Sequence, residues 1–272
     1  MSVETFVRDA LSEDVGRGDL YAKVAPAIDA TGTIVAKCDG VLAGALYADE
    51  IARLEGFEID WHFKDGDRFS KSNKLATIQT DSHTLLKCER TILNIILHAS
   101  SIATLTKQYV QILKPYNCKL LDTRKTRPLL REFEKYATRV GGAQNHRMGL
   151  DDSLMLKDTH LRTIEDLADF IKKARSAIPF TTKIEVEAES VHGALEAFMA
   201  GADIVMCDNM DLEKIVEVVS IKNSKYPHVL IESSGNICLK TIEQHAKCGV
   251  DAISCGSLIH QANWIDLSMK CD

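Results

Sequence analysis

Two short basic segments are the first candidates for chemistry in this chain. They are Asp122-Thr123-Arg124-Lys125 and Asn145-His146-Arg147. An arginine guanidinium can form two parallel hydrogen bonds with a carboxylate, and a lysine adds a point charge. Residues 119–147 include eight basic and three acidic residues, although the chain carries a formal net charge of −6. A basic island in an acidic chain predicts a small anionic ligand and argues against a nucleic-acid partner.

Three further charged residues follow apolar runs. Lys157 is expected in the same anion site because lysine is rarely buried without a partner, and a Schiff-base nucleophile is its competing role. Glu187 and Asp208 could pair with the cations, hold ribose hydroxyls or face the outer shell of Mg²⁺. Each could equally form a structural ion pair. Glu185 alternates with Glu187, so the pattern does not decide which of the two faces the site.

Two loops rich in glycine and serine could bind phosphate. They are Ser233-Ser234-Gly235-Asn236 and Gly256-Ser257, and each comes before a helical segment. Backbone N–H groups in such loops can approach a phosphate closely. Ordinary turn chemistry explains short Gly/Ser loops equally well.

The elements that must position these residues are the strands of a β/α repeat that begins after Pro115. The apolar runs are residues 118–121, 153–156, 183–186, 203–207, 228–231 and 251–255. Helical segments separate them, one of which has Ser190 as its N-cap and Gly201 as its C-cap. Such a repeat predicts a parallel sheet, open or closed into a barrel. The polar residues that follow the runs would then converge on one mouth.

The chain before the repeat has a different rhythm. It predicts a short helix at 2–13, β-prone runs at 33–37, 41–46, 59–63 and 75–79, and a long helix over 85–113. The domain boundary is expected within 105–116. A helix from Pro128 to Val140 is expected to bury Leu129 and Phe133 and to leave Arg131, Glu132, Glu134 and Lys135 on a solvated face.

Composition limits the class of protein. Apolar residues make up 45% and charged residues 26% of the chain, as in a globular protein. No apolar run approaches the ~20 residues of a membrane span, and residues 1–11 do not look like a signal peptide. None of the eight cysteines lies in a Cys-x-x-Cys pair. We therefore expect reduced thiols, a cytoplasmic location and no membrane partner.

Ten short motifs, in this order and spacing, form a specific pattern along nearly the whole chain. They are Glu13-Asp14-Val15-Gly16-Arg17-Gly18-Asp19, Glu89-Arg90-Thr91-Ile92-Leu93-Asn94, Asp122-Thr123-Arg124-Lys125-Thr126, Tyr136-Ala137-Thr138-Arg139-Val140-Gly141-Gly142, Asn145-His146-Arg147, Lys157-Asp158-Thr159-His160, Glu185-Val186-Glu187, Asp208-Asn209, Glu232-Ser233-Ser234-Gly235 and Ile253-Ser254-Cys255-Gly256-Ser257-Leu258. With them the chain resembles the quinolinate phosphoribosyltransferase family, also called carboxylating nicotinate-nucleotide pyrophosphorylase.

The resemblance implies a fold and an activity. The fold is an N-terminal α/β sandwich domain over 1–110 and an open, incomplete α/β barrel over 111–265, with 266–272 packing back on the first domain. The activity is that of a glycosyltransferase (pentosyltransferase). Such an enzyme transfers the phosphoribosyl group of phosphoribosyl pyrophosphate to quinolinate and releases CO₂ and pyrophosphate. The product, nicotinate mononucleotide, belongs to de novo NAD biosynthesis.

The resemblance also implies residue roles. Arg90, Arg124, His146, Arg147 and Lys157 would hold the two carboxylates of quinolinate. Lys125, Glu187 and Asp208 would serve the ribose, the pyrophosphate and the Mg²⁺ that accompanies phosphoribosyl pyrophosphate. Together with Lys157 these three form the expected catalytic set, and Glu187 and Asp208 would reach the metal only through water or substrate. The 5′-phosphate would meet Ser234, Gly235, Asn236, Gly256 and Ser257. A homodimer or higher homo-oligomer would share Arg90 across its interface.

Two other functions are compatible with the sequence, and three residues differ from those usual in the family. A relative acting on nicotinate, or one of the molybdenum-transport-associated branch, is the first alternative, but five cations around the acceptor favour a diacid. A biotinyl- or lipoyl-type carrier is the second, yet the chain has no Met-Lys-Met turn. Tyr21, Asn236 and Ile259 depart from the family's usual residues. Asn236 adjoins the phosphate loop, and asparagine tolerates unusual backbone angles there.

Overall fold

The chain forms two compact units in the computed structural model, which describes residues 2–271. The first contains the chain up to Lys107, Arg127–Gly142 and the chain from Gln261 onward. The second contains Gln108–Thr126 and Ala143–His260. None of the helices within residues 2–271 combines the length and the apolar character that a bilayer span requires.

The first unit combines a four-stranded antiparallel sheet with helices. Its helices are α1 (Val3–Val15), α2 (Ala45–Glu55), α3 (Ser82–Leu113), which continues into the second unit, and α4 (Arg131–Gly141), besides a 3₁₀ turn at Tyr21–Lys23. Its strands are β1 (Asp29–Ala36), β2 (Gly40–Val41), β3 (Ile59–Trp61), β4 (Arg68–Phe69), β5 (Lys74–Asp81) and the C-terminal β12 (Leu267–Cys271). The sheet runs β12-β1-β5-β3, and β2 pairs separately with β4.

The long predicted helix is confirmed as α3, which begins at Ser82. Its start is stabilised by the carboxylate of Asp81, which accepts hydrogen bonds from the backbone N–H groups of His83 (3.0 Å) and Thr84 (3.1 Å). The expected strand over 41–46 is wrong beyond Val41. There the chain turns at Gly44 (φ 107°) and enters α2. Glycine suits this position because a Cβ would lie only 3.1 Å from the Cα of Ile96.

The predicted solvated face of the helix after Pro128 is wrong at two positions. Glu134 and Lys135 are fully buried, whereas Leu129 is 80% exposed. The Glu134 carboxylate accepts hydrogen bonds from His98 Nε2 (3.1 Å) and from the backbone N–H (2.9 Å) and guanidinium of Arg127. The helix begins after Leu129 because that residue has a φ of 65°. Apolar periodicity cannot reveal a buried carboxylate whose donors offset its lost hydration.

The second unit is a six-stranded parallel sheet with helices between the strands. Its strands are β6 (Lys119–Leu121), β7 (Leu154–Leu156), β8 (Ile184–Ala188), β9 (Ile204–Asp208), β10 (Leu230–Ser234) and β11 (Ala252–Ser254). Its helices are α5 (Asp158–Leu161), α6 (Leu167–Ala177), α7 (Val191–Ala200), α8 (Leu212–Lys225), α9 (Ile242–Lys247) and α10 (Ser257–His260). All six predicted strands are confirmed, and so are the caps of α7: Ser190 Oγ accepts from the Gly193 N–H (3.1 Å), and Gly201 has a φ of 87°.

The order of the six strands is that of an open barrel. It runs β6-β11-β10-β9-β8-β7, so the strands follow the chain around and β11 pairs with β6. Among the described residues β6 and β7 do not pair, which leaves the barrel open at that point. The connection between these two strands contains Arg127–Gly142, which belongs to the first unit. Parallel pairing places all six C-terminal strand ends on one side of the unit, where the loops meet.

Candidate active site

A pocket of about 590 Å³ lies at the C-terminal ends of the strands of the second unit. It brings together most of the predicted site residues, namely Arg124, Lys125, His146, Arg147, Lys157, Asp208, Ser234, Gly235 and Asn236. Asp208 is the single acidic residue of the lining in the described part of the chain. The pocket wall is therefore strongly cationic, as the basic island in the sequence predicted.

The two basic segments are held side by side by Asp122, which is fully buried at the end of β6. Its carboxylate accepts hydrogen bonds from the backbone N–H of His146 (2.9 Å) and from the side-chain amide of Asn145. Backbone bonds on either side of Gln144, with Leu120 (2.8 Å) and Asp122 (3.2 Å), extend the sheet along this segment. One buried carboxylate thus fixes the start of both cationic segments.

Arg124 presents unpaired donors to the pocket. Its Nε and Nη1 atoms are buried, and neither has a hydrogen-bond partner among the described residues. Burying a charged donor without a partner is costly, because the group loses its hydration and gains nothing in return. Nε and Nη1 lie on different edges of the guanidinium group, so two acceptor groups are needed to satisfy both nitrogen atoms, as a ligand with two carboxylates can provide.

His146 lies between two buried carboxylates. Its Nε2 atom is 3.2 Å from Glu185 Oε2 and 3.3 Å from Glu232 Oε2. Both glutamates are almost completely buried, at 0% and 2% exposure. Burial raises the pKa of Glu185, even with His146 beside it.

The charge on His146 is set by opposing effects. Burial alone lowers the pKa of the ring, but Glu185 and Glu232 outweigh it and raise the pKa to about 10. The backbone N–H of Arg147, which donates to Nδ1 at 2.7 Å, favours a neutral ring with its proton on Nε2. One neutral hydrogen bond contributes only about 1 kcal/mol, less than close contact with buried carboxylates. The two carboxylates thus favour the cationic ring, in which Nδ1 gives up the hydrogen bond from the Arg147 N–H.

Glu185 and Glu187 have different partners, and neither of them lines the pocket. Both lie on β8 and are buried. Glu185 contacts His146, whereas the Glu187 carboxylate forms an ion pair with the Lys157 ammonium group. Glu187 is not part of the pocket lining itself. Its contact with the site thus runs through Lys157.

Arg147 is anchored more firmly than Arg124. Its Nη1 atom donates a hydrogen bond to the backbone oxygen of Ser153 at 2.9 Å. Burial, and then the nearby charge of Arg124, lower the pKa of Arg147. Two guanidinium groups that repel each other in one pocket again favour a ligand with more than one negative charge.

Sequence reasoning assigned no role to Asp122 or Glu232, which organise the site. Glu232 stands two residues before Ser234 on β10, and residues two apart on a strand face the same side. The two-residue spacing that related Glu185 to Glu187 also relates Glu232 to Ser234, and it would have indicated that Glu232 faces the site. Asp122 belonged to a quoted motif, but no pattern predicts which backbone N–H a carboxylate accepts from.

The loops after β9 and β10 lie next to each other. Ser234 and Asp208 are register partners at the ends of these strands. Asn209 and Asn236 both adopt left-handed backbone angles, with φ of 51° and 50°. The expectation that asparagine tolerates the geometry at position 236 is confirmed.

The remaining predicted residues are not part of the pocket lining. The Ser257 hydroxyl is buried, 3.0 Å from Tyr109 Oη and 2.8 Å from Cys255 Sγ, so its polar partners are protein groups outside the pocket lining. Gly256 lies beside Lys125, since a Cβ on Gly256 would come within 2.9 Å of Lys125 Cδ and would move that side chain. Arg90 is exposed on α3 in the first unit.

The side chains of the pocket fit Mg²⁺ only in part. The one group of His, Cys, Asp and Glu residues with metal-ligand spacing in residues 2–271 is His146, Glu185 and Glu232. A cationic imidazole between two carboxylates does not suit Mg²⁺, which prefers oxygen ligands and retains water. Asp208 lines the pocket and fits a Mg²⁺ ion that substrate oxygens and water hold in place. Glu187 fits this role less well because its carboxylate is paired with Lys157.

Comparison with known proteins gives a consistent result along the chain. Residues 19–100 match the family model described as quinolinate phosphoribosyl transferase, N-terminal domain, and residues 102–270 match that of the C-terminal domain. The probable carboxylating nicotinate-nucleotide pyrophosphorylase of Synechocystis sp. is 36% identical, over 98% of this chain and 92% of its own length. The carboxylating nicotinate-nucleotide pyrophosphorylase of Mycobacterium leprae is 35% identical, over 97% of this chain and 95% of its own length. The structure of the nicotinate-nucleotide pyrophosphorylase from Francisella tularensis superposes with a TM-score of 0.93 at 36% identity. The match covers 99% of this chain and 96% of that one.

Proposed function

Since the chain belongs to the quinolinate phosphoribosyl transferase family, we propose that it transfers the phosphoribosyl group of phosphoribosyl pyrophosphate to quinolinate. The products are nicotinate mononucleotide, CO₂ and pyrophosphate, as in de novo NAD biosynthesis. The observation that carries this proposal is the pair of buried, unpartnered Arg124 donors in a pocket that also contains Arg147, Lys157 and cationic His146. Such a site suits an acceptor with two carboxylates.

We place the two carboxylates of quinolinate on this cation cluster. Arg124 offers unpaired donors on two edges of its guanidinium group, while His146 and Arg147 are held rigidly by Glu185, Glu232 and the Ser153 backbone. Cations that are fixed before the ligand arrives need not reorganise during the reaction. They also overcome the repulsion between a dianionic pyridine and a sugar diphosphate, which must meet with little water present.

We place phosphoribosyl pyrophosphate on the opposite wall of the pocket. Lys125 would neutralise the diphosphate, Asp208 would face the ribose, and the backbone of Ser234-Gly235-Asn236 would receive the 5′-phosphate, with Gly256 and Ser257 contributing backbone N–H groups. Mg²⁺ would accompany the diphosphate near Asp208 and neutralise charge on the leaving group. Glu187 would act on the site by holding Lys157 in position.

The proposed chemistry needs no covalent bond to the protein. The bond from ribose C1 to the pyrophosphate oxygen breaks, and the pyridine nitrogen forms the new bond to C1. The alkylated ring is cationic, so it accepts the electron pair left at C2 when the adjacent carboxylate leaves as CO₂. A proton then takes the place of the carboxylate. Lys157 therefore acts as a cation paired with Glu187 rather than as a Schiff-base nucleophile.

Turnover measurements with two acids test this proposal. The purified protein is assayed with phosphoribosyl pyrophosphate, Mg²⁺ and either quinolinate or nicotinate, with CO₂ and nicotinate mononucleotide as readouts. We expect turnover with quinolinate and little or none with nicotinate, which has one carboxylate and leaves part of the cation cluster unpaired. Turnover of nicotinate but not of quinolinate would overturn the assignment.

We further propose a homodimer or larger homo-oligomer in which Arg90 of one subunit completes the site of another. Its support is the exposure of Arg90 on α3 and the family resemblance around it. Mixing inactive Arg90→Ala chains with inactive Lys157→Ala chains should restore part of the activity, because some sites then receive both intact residues. Mixed oligomers without any recovery would contradict the sharing of Arg90.

We also propose a cytoplasmic location, supported by eight free cysteines.

A further inference from the structure

The side chain of Asn209 joins the loops after β9 and β10. Its Nδ2 atom lies 2.8 Å from Asp208 Oδ2, and its Oδ1 atom lies 3.0 Å from Asn236 Nδ2. Its backbone N–H donates to the backbone oxygen of Ser234 at 3.0 Å. Asn209 therefore contacts the loop after β10 through both its backbone and its side chain.

The direction of these hydrogen bonds is fixed by chemistry. An ionised carboxylate only accepts, so the Asn209 amide must turn its NH₂ group toward Asp208. Its carbonyl oxygen then points to Asn236, which must donate. The result is a directed relay from Asn236 through Asn209 to Asp208, with a charge-assisted bond at its end.

The backbone of this region is built around the Asn209 side chain. Asn209 and Asn236 both have left-handed angles that most side chains disfavour and that asparagine tolerates. Gly235, directly after β10, has a φ of 98°, and a Cβ there would lie 2.4 Å from Asn209 Oδ1. Glycine and asparagine suit these backbone angles, and a side chain at position 235 would displace the Asn209 amide.

We propose that Asn209 is a positioning residue for phosphoribosyl pyrophosphate. It fixes the Asp208 carboxylate and the 235–236 loop relative to each other, so that the ribose end and the 5′-phosphate end of the substrate meet one rigid wall. This inference rests on the proposed function, and it adds a residue to which the family resemblance gave no role. The cation cluster at His146 and Arg147 is held by other groups and does not depend on the relay.

Two substitutions at position 209 separate the relay from backbone strain. Asn209→Asp keeps the shape and tolerates the left-handed angle, but it sets an acceptor against the Asp208 carboxylate. Asn209→Gly removes the side chain and fits the left-handed angle without strain. Asn236→Gly removes only the outer bond of the relay and guards against a poorly folded variant at 209. Ser72→Gly, at an exposed left-handed position (φ 74°) in the first unit, controls for the backbone effect.

The KM for each substrate, kcat, and the affinity for quinolinate by calorimetry are measured for all variants. We expect KM for phosphoribosyl pyrophosphate to rise about tenfold or more in both Asn209 variants, as for the loss of a hydrogen bond to a charged group. Asn236→Gly should show a smaller rise, and quinolinate affinity should stay within about twofold throughout. An unchanged KM for phosphoribosyl pyrophosphate, or an equal loss for both substrates, would overturn the relay. Wild-type protein that fails to turn over these substrates would instead refute the proposed function.

Discussion

Glu232→Gln tests the electrostatics of the site with almost no change in shape. It leaves His146 with one nearby carboxylate instead of two. A unit charge at 3.3 Å contributes about 5 kcal/mol at an effective dielectric constant of 20. Because 1.36 kcal/mol corresponds to one pH unit of pKa, even half of that energy lowers the pKa of His146 from about 10 to about 8.

The same substitution changes how stability depends on pH. The pKa of His146 is higher in the folded chain than the ~6.5 of an unfolded histidine. Its contribution to folding is therefore fully present below pH ~6.5 and is lost as the pH rises through about 10. In Glu232→Gln the contribution is smaller, and its loss should be complete near pH ~8.

Two measurements at pH 6 to 10 check this expectation. Calorimetry with quinolinate should show that wild type binds at pH 9 while Glu232→Gln has lost much of its affinity, and that the two proteins converge at pH 6. Urea unfolding over the same pH range should show that the variant loses stability at a lower pH than wild type does. Glu213→Gln, which removes an exposed carboxylate, should behave as wild type. Identical pH profiles for Glu232→Gln and wild type would refute the charge assignment for His146.

Four other substitutions give separate tests. Arg124→Ala and Lys157→Ala should each lower kcat/KM by orders of magnitude while the circular dichroism spectrum stays that of a folded protein. Lys247→Ala, which breaks an exposed ion pair, should leave kcat/KM unchanged. Near-normal kinetics in the first two variants would show that the site is misplaced. Gly235→Ala should raise KM for phosphoribosyl pyrophosphate, because the new Cβ would clash with a neighbouring asparagine; an unchanged KM would contradict the loop geometry. Glu134→Ala should cost about 1–3 kcal/mol of unfolding free energy in urea, since it removes the buried acceptor of hydrogen bonds from His98 and Arg127; unchanged stability would contradict the burial of Glu134.

The parallel sheet could be predicted because its strands carry a strong local signal. Each buried strand is a short apolar run, and polar residues follow it at the end where a β/α unit places its functional groups. That rule located Arg124, Lys157 and Asp208 without knowledge of the pairing order. The opening between β6 and β7 was not predictable in this way, because strand pairing depends on contacts far apart in the chain.

The errors have two physical causes, buried charges and unusual backbone angles. Hydrophobic periodicity treats charged residues as exposed, and it fails where a charge is buried with partners. Glu134 and Lys135 were therefore assigned to the wrong face, and Glu232 received no role although it lies against His146. The strain at Leu129 and the left-handed angle at Asn209 were also invisible, because a single sequence does not report backbone angles.

The central claim is that Arg124 and its cationic neighbours bind two adjacent carboxylates. A crystal structure of the protein soaked with quinolinate tests it most directly. We predict that one carboxylate makes a two-point contact with Arg124 Nε and a terminal nitrogen, and that the other lies against His146, Arg147 or Lys157. Quinolinate bound outside this pocket, or bound with the Arg124 nitrogens still unpaired, would contradict the account.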